Sequence, residues 1–203
     1  MPRGFSMPEL VRFAERVVLI LLSGSVILRL LPAFSFHPQV ILLLVGELSA
    51  VFFLLIQRRG SWSSSSYTTL IAFVGTGAAL CVYPQGLTLA PDWITAPLLV
   101  TGTGISVAAK LSLRRSFGLV PANRGVKSRG AYRFVRHPMY AGYVIAHVGF
   151  LLLYFSVWNL AVYALAWVML YLRVIEEERF LLDDPEYAAY AQTVRSRIIP
   201  GLI

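Results

Sequence analysis

"RFVRHPMYAGYVIAHVGFLLLYFSVWNLAVYALAWVMLYLRVIEEERF", residues 133–180, decides how this chain is built. A basic cluster opens it and an acidic cluster nearly closes it. Between them lie two apolar runs, 139–156 and 157–175. Runs of roughly 18 residues or more can cross a bilayer core of about 30 Å. Almost nothing polar separates the two runs near Ser156, so the chain crosses, turns tightly and crosses back. The polar clusters are therefore expected to meet at one membrane face, with His137 and Tyr140 near Arg173 and Glu177.

Working outward, four more apolar segments precede this hairpin, at about 13–34, 39–56, 67–83 and 93–111. Of the 203 residues, 57% are hydrophobic and only 14% charged. A soluble domain carries about 25% charged residues. The expected fold is all-α, a polytopic membrane helical bundle of about six transmembrane segments. It forms a single membrane domain, 1–203, with N-terminal transmembrane helices in 1–92. Residues 93–203 form a core that carries the polar loop and the C-terminal helix. The first segment is too long for a cleavable signal and has no small-residue cleavage site after it.

The net charge of +8 is segregated. Arg3, Arg12 and Arg16 precede the first segment, and Arg58 and Arg59 follow the second. Lys110, Arg114, Arg115, Arg124, Lys127, Arg129, Arg133 and Arg136 lie between the fourth and fifth. Arg173, Arg179, Arg195 and Arg197 close the chain, and only Arg29 falls on the opposite side. The positive-inside rule then places both termini and the 110–137 loop in the cytoplasm. This pattern sets topology and faces anionic head groups of membrane lipids, so no nucleic-acid partner is expected. Cys81 is the single cysteine and reads as a small buried apolar residue.

Smaller signals fall along the same frame. "GSWSSSSY", 60–67, reads as a short linker. "GTG" occurs at 75–77 and 102–104, either as a faint repeat or as small residues that let helices approach closely. Glu47 stands inside an apolar segment and should face the bundle interior, for a hydrogen bond or for a site. "DDPEY" reads as a helix start, with Asp184 as N-cap and Pro185 in first position. Tyr187, Tyr190 and Val194 then share a face of a short amphipathic cytoplasmic helix, ended by Pro200 and Gly201.

Arg173 and Glu177 are one helical turn apart, as an ordinary ion pair or as parts of a site. Three adjacent glutamates at a helix C-terminus oppose the macrodipole, a cost that a bound cation would offset. Pro138 suits a first helical position and holds His137 extended, leaving N–H donors aimed at the cluster. His37, His137 and His147 lack metal-ligand spacing, and no metal site is expected.

"SRGAYRFVRHPMYAGY", the hydrophobic hairpin and "RVIEEERFLLDDPEYAAYAQTVRSRIIP" together resemble the isoprenylcysteine carboxyl methyltransferase family. They are similar, more distantly, to the membrane phospholipid methyltransferases. The resemblance covers roughly residues 100–200. It implies S-adenosylmethionine as cofactor, contacted by Val126, Lys127, Tyr132, His137, Pro138, Met139 and Tyr140. By the same resemblance Glu177 holds the cofactor's α-amino group and Arg173 is the catalytic residue that meets the substrate carboxylate. The linker between "EE" and "PEY" is shorter than in the eukaryotic enzymes, which makes the chain look like a bacterial relative in the inner membrane. The implied partner is a lipophilic or lipidated substrate that enters from the bilayer.

The chemistry of the clusters agrees. A sulfonium zwitterion offers an ammonium to glutamate and a carboxylate to basic residues. A carboxylate acceptor is already ionised at neutral pH, so positioning and desolvation suffice. The alternatives are N-methylation of an aminophospholipid and a non-enzymatic membrane scaffold or transporter. Transporters place their charges at the midplane, whereas here only Glu47 lies there. Cysteine labelling should report positions 60–66 and 120–130 as cytoplasmic and position 88 as external. Labelling of position 88 from the inside would rule out the six-segment topology.

Overall fold

A computed structural model describes residues 7–35, 37–58, 60–62, 65–120 and 122–201. Arg3 and Arg59, and the side chain of Arg12, lie outside the described parts, as do residues 63 and 64 of the linker. Each expected segment is a helix: α1 Met7–Leu30, α2 Ile41–Leu55, α3 Ser66–Ala79, α4 Asp92–Leu113, α5 Pro138–Leu153 and α6 Val157–Leu181. A short α7, Pro185–Thr193, follows. The protein is an all-α membrane bundle. Four helices are long and apolar enough to cross a membrane. The other two expected segments, α3 and α5, form shorter helices of 14 and 16 residues.

Local chemistry sets the boundaries. Ser65 caps α3 by accepting from Thr68 N, and Ser156 caps α6 by accepting from Asn159 N. Proline occupies the first turn of α5 and of α7, where its missing N–H is harmless. Asp184 caps α7 by accepting from Glu186 N at 2.8 Å, as its sequence indicates. That helix stops at Thr193 rather than at Pro200. The residues after it are extended because Ser196 O and Arg197 O accept from Arg136 N and His137 N.

Backbone proximity governs the packing. A Cβ on Gly102 of α4 would collide with Ala146 N and Gly142 O of α5, and one on Gly142 would meet Gly102 O and Ser106 N. The two helices therefore run together along most of their length, as small residues permit in membranes. On the other side α3 packs along α6, with Gly75 against the Met169 side chain. The first "GTG" thus serves α3 and the second serves α4. By contrast α5 and α6 touch only sparingly. The backbones of the tight hairpin expected from their short connection are splayed, and between the helix ends the two are bridged by side chains, His147 meeting Tyr163 and Trp167. Exposed Leu21, Leu28, Phe52, Leu70 and Val168 form the outer surface, as a lipid-facing girdle requires.

The two ends of the bundle differ. At one, Ser61–Trp62 (β1) pairs antiparallel with Ala122–Asn123 (β2), and Arg58 N donates to Arg115 O at 2.8 Å. At the other, Leu87 and Phe155 exchange backbone hydrogen bonds, and buried Asn159 binds Tyr83 and Tyr154. Arg29 belongs to this second end. It donates to Val82 O at 3.0 Å and to Leu80 O, carbonyls left over at the end of α3. Lys110, counted above among the loop cations, is instead buried in α4. Its ammonium donates to Gly46 O at 3.0 Å and Ser49 Oγ at 3.2 Å on α2.

Gly102→Ala should destabilise the protein by about 1–3 kcal/mol, because a methyl there forces two backbones apart. Nothing lies within 4 Å of a Cβ built on Gly104, so Gly104→Ala should be neutral or stabilising by up to about 1 kcal/mol. Unfolding midpoints in one detergent compare the two. Equal destabilisation would refute the close-approach account.

Candidate functional site

The start of α5 and the end of α6 are joined through Glu178, which is 4% exposed. Arg136 grips it with two nitrogens, Nε to Oε1 at 2.7 Å and Nη2 to Oε2 at 3.2 Å. Arg197 Nε donates to Oε2 at 2.8 Å, and His137 Nε2 lies 3.1 Å from Oε1. The remaining Arg136 nitrogen, Nη1, donates to Ala191 O and Val194 O at the end of α7. Nε2 of the His137 ring and the His137 backbone N–H are both engaged within the protein. The ring meets Glu178 and the N–H donates to Arg197 O at 2.7 Å.

The three glutamates therefore have three fates. Glu178 is neutralised by protein cations. Glu176 accepts from Arg179 at 3.3 Å. Glu177 accepts from the Tyr140 hydroxyl at 2.7 Å and has no ion pair among the described residues. It lines a cavity with Val126, Lys127, Tyr132, His137, Met139 and Tyr140. Pro138 is the one expected contact residue missing from this wall. It is buried as the first residue of α5.

Other wall residues went unassigned in the sequence. Asn123 ends β2 and Arg124 follows it, in a segment whose "ANRG" turn composition was the available signal. Tyr187 and Tyr190 come from α7, where helical spacing gave the face but not its target. Asn123 Nδ2 donates to Asp184 and so ties the loop to the α7 cap. Tyr190 donates to Tyr132 O at 2.7 Å. Burial pushes the Tyr190 phenol up to about 12. Burial, with Glu177 nearby, also raises Tyr187 and Tyr132. All three stay protonated near neutral pH. The Tyr187 hydroxyl is buried with no hydrogen-bond partner among the described residues, an orphan donor on a cavity wall.

A second cavity adjoins the first and occupies the gap between α5 and α6. Met139 and Tyr140 belong to both walls. Arg173 lines only the second, with Glu47, Tyr143, His147 and a mostly aliphatic surface. The Arg173 guanidinium donates to Leu119 O at 2.6 Å and sits 5.4 Å from the Tyr140 ring centroid. Arg173 and Glu177 share a helix face, and Tyr140 meets both, Arg173 with its ring and Glu177 with its hydroxyl. The arrangement can hold an ammonium on Glu177 and an anion at Arg173, on either side of one aromatic ring.

Glu178→Gln should cost about 3–5 kcal/mol of stability, because it leaves buried cations unpaired. Glu177→Gln should barely move the melting temperature of the ligand-free protein. Thermal unfolding of both variants checks this, and equal loss would make Glu177 a structural residue.

Residues 93–188 match the model of the phospholipid methyltransferase family. The matched segment begins in α4 and ends in α7, so it contains every wall residue of the first cavity except Tyr190. A search of curated proteins found no match. The family also includes the isoprenylcysteine carboxyl methyltransferases. Its matched core holds the paired helix ends, the loop and the capped α7 described above, and over these residues the chain is similar to the phospholipid methyltransferase family of membrane methyltransferases.

Proposed function

We propose that the chain is an S-adenosylmethionine-dependent carboxyl O-methyltransferase acting on a lipophilic acid drawn from the bilayer. The observation that carries this is the meeting of two cavities at Tyr140, with Glu177 on one side and Arg173 on the other. The family's usual methyl donor is S-adenosylmethionine, and the first cavity suits a zwitterion. Glu177 is an unneutralised carboxylate held by Tyr140, Arg124 and Lys127 supply positive charge on the wall, and Tyr187 offers an unmet hydroxyl. When bound, the cofactor supplies an electrophilic methyl carbon on a sulfonium.

The chain's own residues then position and desolvate. Glu177, oriented by Tyr140, holds an ammonium. Arg173, fixed by Leu119 O, aims its guanidinium into the second cavity and can clamp a carboxylate there. The aliphatic wall excludes water, which strengthens that contact. A carboxylate needs no general base. The basic connections share one end of the bundle, and with both termini on that side the cofactor cavity opens to the cytoplasm, here of a bacterial inner membrane.

A second reading is N-methylation of an aminophospholipid. Glu47 on the wall of the second cavity favours it, since a carboxyl attracts an ammonium. Arg173 decides between the two. Under carboxyl methylation, Arg173→Lys should keep cofactor affinity and lower turnover about 10- to 1000-fold, because one ammonium cannot reproduce a planar fork. Under amine methylation, Arg173→Gln should retain or raise activity, because a repelling charge is gone. The measurement is transfer of labelled methyl to extracted lipid at matched cofactor occupancy. Full activity in both variants would remove Arg173 from the mechanism. Cofactor at about 100 times its Kd should also stabilise the protein by roughly 2.7 kcal/mol, and absence of any thermal shift would refute cofactor binding.

A further inference from the structure

The second cavity carries polar groups that methyl transfer at Arg173 does not use. His147 accepts on Nδ1 from the Trp167 indole at 3.2 Å. An indole nitrogen only donates, and a charged imidazole is costly inside a bilayer, so the neutral ring carries its proton on Nε2. Stacking on Tyr163, with centroids 4.2 Å apart, locks that orientation. The Nε2–H is thus a fixed donor with no partner among the described residues, on a ring that lines the cavity. Glu47 faces the same space. Its Oε2 accepts from Ser23 Oγ at 3.4 Å, near the limit of a hydrogen bond, and Oε1 has no partner among the described residues. Lys110 binds Gly46 O and Ser49 Oγ, one residue before and two after Glu47, and sits 5.1 Å from the Tyr143 ring, so a cation offsets the carboxyl charge.

A saturated hydrocarbon chain in this space would leave both groups dry and unpaired, which is penalised. A second anion would meet Glu47. One neutral group that both donates and accepts answers both, taking a hydrogen bond from His147 and giving one to Glu47. Tyr140 marks the reacting end of the cavity, and His147 lies two helical turns deeper, about 10 Å along α5. Taking this cavity as the acceptor site proposed above, we infer that the acceptor is a lipophile bearing a neutral hydroxyl or amide about 10 Å along its chain from the methylated group.

The test is competition binding to the full-length protein in nanodiscs, read by native mass spectrometry. The ligands are hexadecanoic acid and its monohydroxy isomers, with the hydroxyl walked along the chain. The wild type should prefer the isomer whose hydroxyl falls near 10 Å from the carboxyl by about tenfold or more, equivalent to about 1.4 kcal/mol. His147→Phe, which keeps the ring stack, and Glu47→Leu should each flatten that peak, while an unchanged cofactor-induced thermal shift reports that they fold. A flat positional profile in the wild type overturns the inference, and so does a peak that survives in both folded variants. Because binding is read without turnover, failure of labelled-methyl transfer to every acid would sink the proposed reaction and leave this profile to be judged on its own.

Discussion

One buried carboxylate holds together the end of the bundle that carries the first cavity. Glu178 gathers Arg136, His137 and Arg197, three cationic or potentially cationic groups from two segments far apart in the chain. A charge this deep is tolerated only when its partners are complete. The completed cluster fixes the start of α5 against the end of α6 and draws the segment after α7 alongside. Arg136 also satisfies the last carbonyls of α7, so the helix that carries Tyr187 and Tyr190 depends on the same knot. The neighbouring Glu177 can then remain unneutralised, because the structural load falls on Glu178.

The division of the bundle into two tightly packed pairs has a functional result. Glycine contacts join α4 to α5, and α3 packs along α6. The space left between α5 and α6 is the second cavity. Its floor and the wall of the first cavity meet at Tyr140, whose ring and hydroxyl face different partners. Tyr140 therefore stands between a cavity with Glu177 on its wall and one with Arg173 on its wall.

Much of this was legible in the sequence, for local reasons. Apolar runs mark helices wherever they are long, and the Asp184-Pro185 start needs no distant partner. The convergence of Tyr140 with Glu177 followed from the short connection at Ser156, although the hairpin itself is splayed. The role of Glu178 was not legible. Its partner Arg136 is 42 residues away, and in sequence three glutamates look alike until side-chain directions are known. Lys110 was misplaced for a similar reason. A lysine at the end of an apolar run reads as a loop cation, and only the carbonyl of Gly46 on another helix shows that it is buried. The pairing of the His137 ring with Glu178 was hidden in the same way, by a separation of 41 residues along the chain.

The shortness of α3 and α5 bears on the lipid as much as on the protein. At 1.5 Å per residue they rise about 21 Å and about 24 Å, against a hydrocarbon core of about 30 Å. Hydrophobic mismatch of this sign is relieved by local thinning of the bilayer. Beside α5, which begins where the two cavities meet, such thinning would draw one leaflet inward. Thinning of this kind brings head groups and water closer to Tyr140, the residue on the walls of both cavities.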